Sequence, residues 1–481
     1  KLPALARLAA ATSDDLFVAE DLKRLGPLVR QAEVLARQYD AVVANPPYMG
    51  SKYHIPLVKK FLKDNYTGYE KDVFSAFIDR DLALSKPHGR LGFMSPFVWM
   101  FISSHENLRT RMLEDETITT LVQLEYSGFE GATVPICAFT LQKGHVSGQK
   151  GCFIRLSEFR GSANQGPKTF EAIRNRKCGW LFEVAQDEFK KIPGSPVAYW
   201  VSEGVMDSFS SLPPLSDFVD TRIGLITGDN ERYIRNWPEV GLLTIGFDAK
   251  TRKGAAALER KWFPQSKGGD YRKWYGNNAT VLDWSSDGQE LQTRLHSSGA
   301  RTLAHNFNLD RIFCESVTWT KISSGAFGPR FQPAGYLFND ASSNAFATGI
   351  DTHFCLALLC AVTTQPVLTA LNPTLNYLPG TIGSLPTPRG STLIAAAQRL
   401  AEAAVQLSRT DWDAYERSWD FQRLPLLTVT APDGSACPSL EASYLFWVAG
   451  NRRTIAEMKR LEEENNRLFI DAYGLADELD A

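Results

Sequence analysis

Paired, metal-spaced cysteines are missing from this chain. Its seven cysteines stand at 137, 152, 178, 314, 355, 360 and 437, and no two form a Cys-x-x-Cys pair. Odd in number and scattered, they read as reduced thiols of a cytosolic protein, and neither a disulfide framework nor a metal site is expected. Long apolar runs are missing too. FMSPFVWMF, residues 93–101, is short and interrupted, so no membrane span is expected. The opening KLPALARLAAATSDD has an amphipathic helical pattern without the apolar core of a signal peptide. Net charge is scarce, −2 from 52 basic and 54 acidic side chains, so total charge says nothing about nucleic acid and its placement must. Internal repeats and long low-complexity tracts are absent. At 481 residues the chain suits roughly two to four domains.

Basic charge gathers in KTRKGAAALERKWFPQSKGGDYRK, residues 250–273, with eight Lys or Arg against two acids and Trp262, Phe263 and Tyr271 interleaved. A solvated charged face and a phosphate-contacting surface both fit this composition.

The order of patterns gives a coarse architecture. Residues 1–40 read as helical, with a strand candidate at Leu16–Ala19, and AVVA at 41–44 reads as a strand. KDVFSAFIDRDLALSKPHG, residues 71–89, has apolar positions at helical spacing until Pro87-His88-Gly89. RLGFMSP reads as the next strand, a helix follows near 104–115, and TITTLVQLEY and VPICAFTLQK read as two more strands. This alternation predicts an α/β sheet of mostly parallel order over residues 1–150. Residues 151–215 read as a connector of short strands, 216–390 as an irregular α+β domain rich in loops, and 391–481 as a helical C-terminal region.

The stretch YDAVVANPPYMG, residues 39–50, is the most chemically pointed. Its apolar run suits a strand buried on both faces. Pro46 and Pro47 then remove two backbone donors and fix φ twice, holding Asn45 and Pro46 extended. The product is a rigid bracket with one amide, open carbonyls and the Tyr48 ring, at the strand end where ligands bind in open α/β sheets. An amide oxygen and a fixed carbonyl can accept both hydrogens of an exocyclic amino group, and a tyrosine ring can stack on the base. An ordinary strand-ending turn is the plainer alternative.

In order, VANPPYMGSKY, DVFSAFID, KPHGRLGFMSP and FEGATVPICAFTLQK resemble the catalytic domain of amino-group DNA methyltransferases. With TGDNERYIRNW, LNPTLNYLPG and WDFQRLPLL, the set resembles the adenine-specific methyltransferases of BREX phage-defence systems, over residues 39 to about 425. The resemblance implies a partial Rossmann-like methyltransferase sheet, a target-recognition domain at 216–390, S-adenosyl-L-methionine as cofactor and double-stranded DNA as substrate. Other BREX proteins would be partners, and phage-encoded DNA mimics possible occupants of the DNA surface. Asn45, Pro46, Pro47 and Tyr48 would form the catalytic motif. Asn45 and the Pro46 carbonyl would accept from adenine N6, and Tyr48 would stack on a flipped base. Phe129 matches a second stacking aromatic, and equally suits a core position. Asp72 and Phe74 match a motif near the cofactor, with plain helix packing open for Phe74. Arg232, Arg235, Lys250, Arg252, Lys253, Lys261, Lys267, Arg272 and Lys273 are candidate DNA contacts. The adenine amine itself attacks, so His54, His88 and His105 are not expected to be catalytic.

One departure matters. Members of this family bind the cofactor through a glycine-rich turn followed by an acid on the ribose, and neither precedes Asn45. Asp21, with Glu20, is a candidate for the acid that meets the cofactor's adenine, a helix N-terminal acid being the alternative. The chain is therefore expected to be the C-terminal part of a longer enzyme and inactive by itself. Two other readings stay open. One is a DNA-recognition or sensing subunit with a silent methyltransferase site. The other is a protein-glutamine methyltransferase, for which the large basic and aromatic C-terminal region would be unnecessary.

Overall fold

The computed structural model describes residues 2–13, 15–129, 134–323, 325–372, 376–431 and 434–481. The chain divides into two compact units, residues 1–200 and 201–481.

In the first unit, six strands form one sheet: β1 (Tyr39–Ala44), β2 (Ser85–Pro96), β3 (Glu116–Gln123), β4 (Ile136–Lys143), β5 (Lys150–Arg155) and β6 (Leu181–Ala185). Their order is β1-β2-β4-β3-β5-β6. β1 pairs with β2, and β3 with β5, in parallel, while β4 and β6 pair antiparallel to their neighbours. The mostly parallel order expected from sequence is thus a mixed sheet. The described part of the β3–β4 connection holds no helix, and a strand that returns without a crossover pairs antiparallel. Of residues 151–215, read as connector, 151–200 supply β5, β6 and the helix Ser162–Arg174 to this unit.

Two local expectations fail for identifiable reasons. LFVA is the first turn of a helix, Leu16–Ala36, because the Asp15 carboxylate accepts from the Phe17 N–H at 2.9 Å and the Val18 N–H at 3.4 Å. β1 is not buried on both faces. It is the edge strand, with only β2 beside it, and Val43 is 84% exposed. The helix predicted over 71–89 runs Val73–Leu84, starting at an Asp72 N-cap and ending where β2 begins at Ser85. It packs on β1 and β2, while Glu106–Asp115 packs on β3. Leu91, Phe93, Leu121, Phe139 and Leu141 from the central strands make the core of the unit.

The second unit holds two four-stranded sheets. One is β12 (Arg330–Gln332), β11 (Ser316–Thr320), β14 (Ser342–Ala347) and β7 (Val219–Ile223), wholly antiparallel. The other is β13 (Leu337–Phe338), β9 (Trp262–Ser266), β10 (Thr280–Asp283) and β8 (Ile234–Asn236), with one parallel pair, β13 and β9. Alanines 397, 401 and 404 are buried along one stripe of the helix Ser391–Asp413, which lets it lie close against Thr352–Cys360. The final helix runs Leu440–Tyr473 and buries Leu461, Phe469 and Ile470. Among the described residues no single helix is long and apolar enough to cross a membrane. The apolar pair Thr352–Cys360 and Thr364–Leu371 lies in the core of this unit.

Candidate target-base site and nucleic-acid interface

β1, β2, β3 and β5 point the same way, so their carboxyl ends share one edge of the first sheet. Asn45 follows β1 on that edge, where Ala44 registers with Phe93 of β2. Pro46 is buried, while Asn45 and Pro47 are exposed. The Tyr48 hydroxyl donates to Asn45 Oδ1 at 3.1 Å. Burial pushes the Tyr48 phenol above its ordinary range, so it stays a protonated donor at neutral pH.

Asp72 sets the shape of this loop. Its carboxylate accepts from the Met49 N–H at 2.9 Å and caps the helix at Phe74 N–H, 3.4 Å away. Backbone bonds from Ser51 N–H to the Lys71 carbonyl (2.9 Å) and from Val73 N–H to the Met49 carbonyl (3.2 Å) close the clasp. His54 Nε2 donates to the Met49 carbonyl at 2.8 Å. Burial raises the Asp72 carboxyl although three backbone N–H groups pull the other way. One acid thus joins the loop to the helix behind it. Phe74 is 1% exposed and packs against His105 at 5.2 Å, inside the core.

Beside Asn45 lies an open cavity of about 460 Å³ on the sheet face, lined by residues including Val43, Met94, Thr120, Val122, Ala138 and Thr140. Apart from Asn45 and two threonines the lining is apolar, and it contains no carboxylate. Phe129 is 40% exposed in the loop after β3. Residues 130–133 of FEGATVPICAFTLQK, and 373–375 of LNPTLNYLPG, lie outside the described residues. Asp21 and Glu20 sit within the helix Leu16–Ala36 rather than after a strand, and Asp21 is exposed.

The basic candidates of the second unit separate into two groups. Arg252 makes a two-pronged pair with Asp287, Nε to Oδ1 at 2.9 Å and Nη2 to Oδ2 at 2.6 Å. Arg232 pairs with Glu290 (2.6 Å), Lys261 with Asp283 (3.5 Å), Lys273 with Glu462 (2.9 Å), and Arg272 with Asp411. These cations already have carboxylate partners. Lys250, Lys253 and Lys267 are exposed and form no ion pair among the described residues. Arg235 donates to the Ile234 carbonyl at 2.7 Å and stands 5.9 Å from the Trp262 ring. The interleaved aromatics divide as well: Trp262 and Phe263 are core residues at 8% and 1% exposure, while Tyr271 is 57% exposed. β-strand alternation alone does not reveal this, because all five residues of β9 are buried.

Comparison with known proteins adds a likeness. Residues 13–129 match the Eco57I restriction-modification methylase family. The adenine-specific methyltransferase PglX of Lacticaseibacillus casei (strain Zhang) is 34% identical over 94% of this chain and 38% of its own length. The adenine-specific methyltransferase BrxX of Escherichia coli O9:H4 (strain HS) is 33% identical over 87% of this chain and 33% of its own. The chain therefore spans little more than a third of these relatives. Among solved structures, the Type IIL restriction-modification enzyme MmeI, in complex with DNA, shares the fold with a TM-score of 0.53. It is 11% identical over 90% of this chain and 54% of that one. Over 94% and 87% of its length, then, this chain is similar to the adenine-specific methyltransferases PglX and BrxX.

Proposed function

We propose that this chain carries the target-adenine grip and the DNA-recognition region of a site-specific adenine-N6 DNA methyltransferase, which marks host DNA in the cytoplasm within a BREX-type phage-defence system. The observation that carries this reading is the Asn45–Tyr48 bracket at the carboxyl end of β1, in a chain similar to PglX over 94% of its length. An extruded adenine would donate its two N6 hydrogens to Asn45 Oδ1 and the Pro46 carbonyl, which raises electron density on that nitrogen. The Tyr48 hydroxyl now on Asn45 Oδ1 must yield as the base enters, leaving the ring free to stack. Extrusion costs a few kcal/mol, and these contacts offset it. Residues 216–390 would serve as the target-recognition domain, with Lys250, Lys253 and Lys267 as phosphate contacts and other BREX proteins as partners.

S-adenosyl-L-methionine is the donor this reading requires. The residues present do not build its site: the cavity beside Asn45 offers an apolar wall, without a carboxylate for the ribose hydroxyls. We assign its polar contacts to the part of the enzyme that this chain, a third of its relatives' length, does not span. The same observation favours a second reading, a DNA-sensing subunit with a silent methyltransferase site. Single-molecule methylome sequencing of a host carrying the full-length gene, beside its Asn45→Ala version, separates the two. An N6-methyladenine motif lost in the variant is the expected result. Absence of any motif, with both proteins expressed, would favour the sensor.

A further inference from the structure

We propose that Arg155, held over the Trp200 ring at the carboxyl end of β5, carries a DNA-phosphate contact, a reading that rests on the DNA-methyltransferase assignment. Arg155 Nε has no hydrogen-bond partner among the described residues, and the side chain is part-exposed. An arginine side chain can only donate. Among the described residues no carboxylate pairs with Arg155, and its guanidinium stands 4.5 Å over the Trp200 ring. A part-exposed guanidinium without an acidic partner is suited to an acceptor-rich anion, which it meets through charge-assisted hydrogen bonds.

The placement follows from the strand. Phe153 and Arg155 lie to one side of β5, and the Leu156 N–H just beyond it still donates to the Gln123 carbonyl at 2.9 Å. Phe153 stacks on Tyr199 at 4.8 Å, which sets the Tyr199-Trp200 segment on that same side. The Tyr199 hydroxyl donates to Gln123 Oε1 at 2.7 Å, and Gln123 is the register partner of Arg155 on β3. Phe101 packs edge-on against Trp200 at 5.6 Å. Arg155 therefore stands over an anchored ring, while remaining part-exposed.

This spot shares the sheet edge that bears Asn45, four strand positions away. At about 4.8 Å per strand the separation is about 19 Å. One phosphate per about 3.4 Å of duplex strand then puts the contact about five to six nucleotides from the extruded adenine. Such a contact would fix the register of the duplex on the catalytic unit and carry no sequence information.

Duplex binding by the full-length enzyme, measured against salt concentration, tests this. Arg155→Gln is expected to weaken binding about tenfold and to lower the slope of log K against log salt by about one, at unchanged melting temperature. Arg155→Lys is expected to keep the slope. Wild-type affinity and slope in Arg155→Gln overturn the site, as does equal loss in both variants, the mark of a structural role. Ethylating single phosphates of the duplex then locates the contact. Interference about five to six nucleotides from the methylated adenine, present in wild type and lost in Arg155→Gln, supports it, and an unchanged pattern overturns it. Asn45→Ala is read separately for methylation. Methylation that survives it would overturn the adenine grip and leave an Arg155-dependent slope standing.

Discussion

At the residue scale, the Tyr48 hydroxyl and the adenine amino group compete for one acceptor, Asn45 Oδ1. Removing the hydroxyl frees the acceptor and leaves the ring, whereas removing the ring loses base–aromatic stacking worth ~1–3 kcal/mol. In single-turnover methylation by the full-length enzyme, Tyr48→Phe is expected to stay within about threefold of wild type and Tyr48→Ala to fall about tenfold to a hundredfold. Equal loss in both would show that the hydroxyl, not the ring, matters. The cations of the second unit carry a parallel test. Lys253→Ala and Lys267→Ala are each expected to lower the salt slope of DNA binding by about 0.9 with stability unchanged. Arg252→Ala is expected instead to cost about 1 kcal/mol of stability, because it breaks the Asp287 pair. Urea unfolding beside the binding titration distinguishes the groups.

At the element scale, the Val73–Leu84 helix joins the NPPY loop to the core through two polar contacts. Asp72 caps its start, and Ser75 Oγ meets His105 Nδ1 at 3.1 Å deeper down. Burial, with the Arg109 charge adding to it, lowers the His105 pKa from 6.5 to about 4. The unfolded chain therefore takes up a proton as pH falls below 6.5 while the folded chain does not until about 4. The neutral histidine's contribution is complete above the higher value and is lost downward across that window, on the order of 3 kcal/mol. Urea midpoints at about pH 7.5 and about pH 4.5 should separate less for His105→Gln than for wild type. An unchanged separation would mean that His105 protonates in the folded chain as readily as in the unfolded one. His105 is thus assigned to packing, between Ser75 and Phe74.

At the scale of the whole molecule, the open face of the first sheet sets what this chain can do alone. Val43 is 84% exposed on an edge strand paired on one side, and the cavity beside Asn45 lacks carboxylates. Calorimetric titration of the isolated chain with S-adenosyl-L-methionine is expected to show no binding, and titration of the full-length protein to show it. Binding by the isolated chain would mean that the apolar wall and Asn45 suffice. Covering that sheet face is the structural task we assign to the remainder of the full-length enzyme.

The sequence by itself determined the covalent bracket and the order of elements. Two consecutive prolines restrict the backbone whatever surrounds them, so the rigid end of β1 at Asn45 was readable from NPPY. Periodicity over 71–89 and the helical reading of the C-terminal region likewise signalled the helices that run Val73–Leu84 and Ser391–Asp413, because burying one apolar stripe needs no knowledge of the partner. Tertiary structure decided the rest. β4 inserts between β2 and β3, a pairing across distant segments that no local pattern encodes. Which cations are held by acids depended on Asp287, Glu290, Asp411 and Glu462, residues brought close only by folding. Arg155 and Trp200 are 45 positions apart and gave no signal, since their pairing exists only once Tyr199 docks on β5. Local covalent restraint and amphipathic period are properties of a segment, but charge pairing and strand order are properties of contacts between segments.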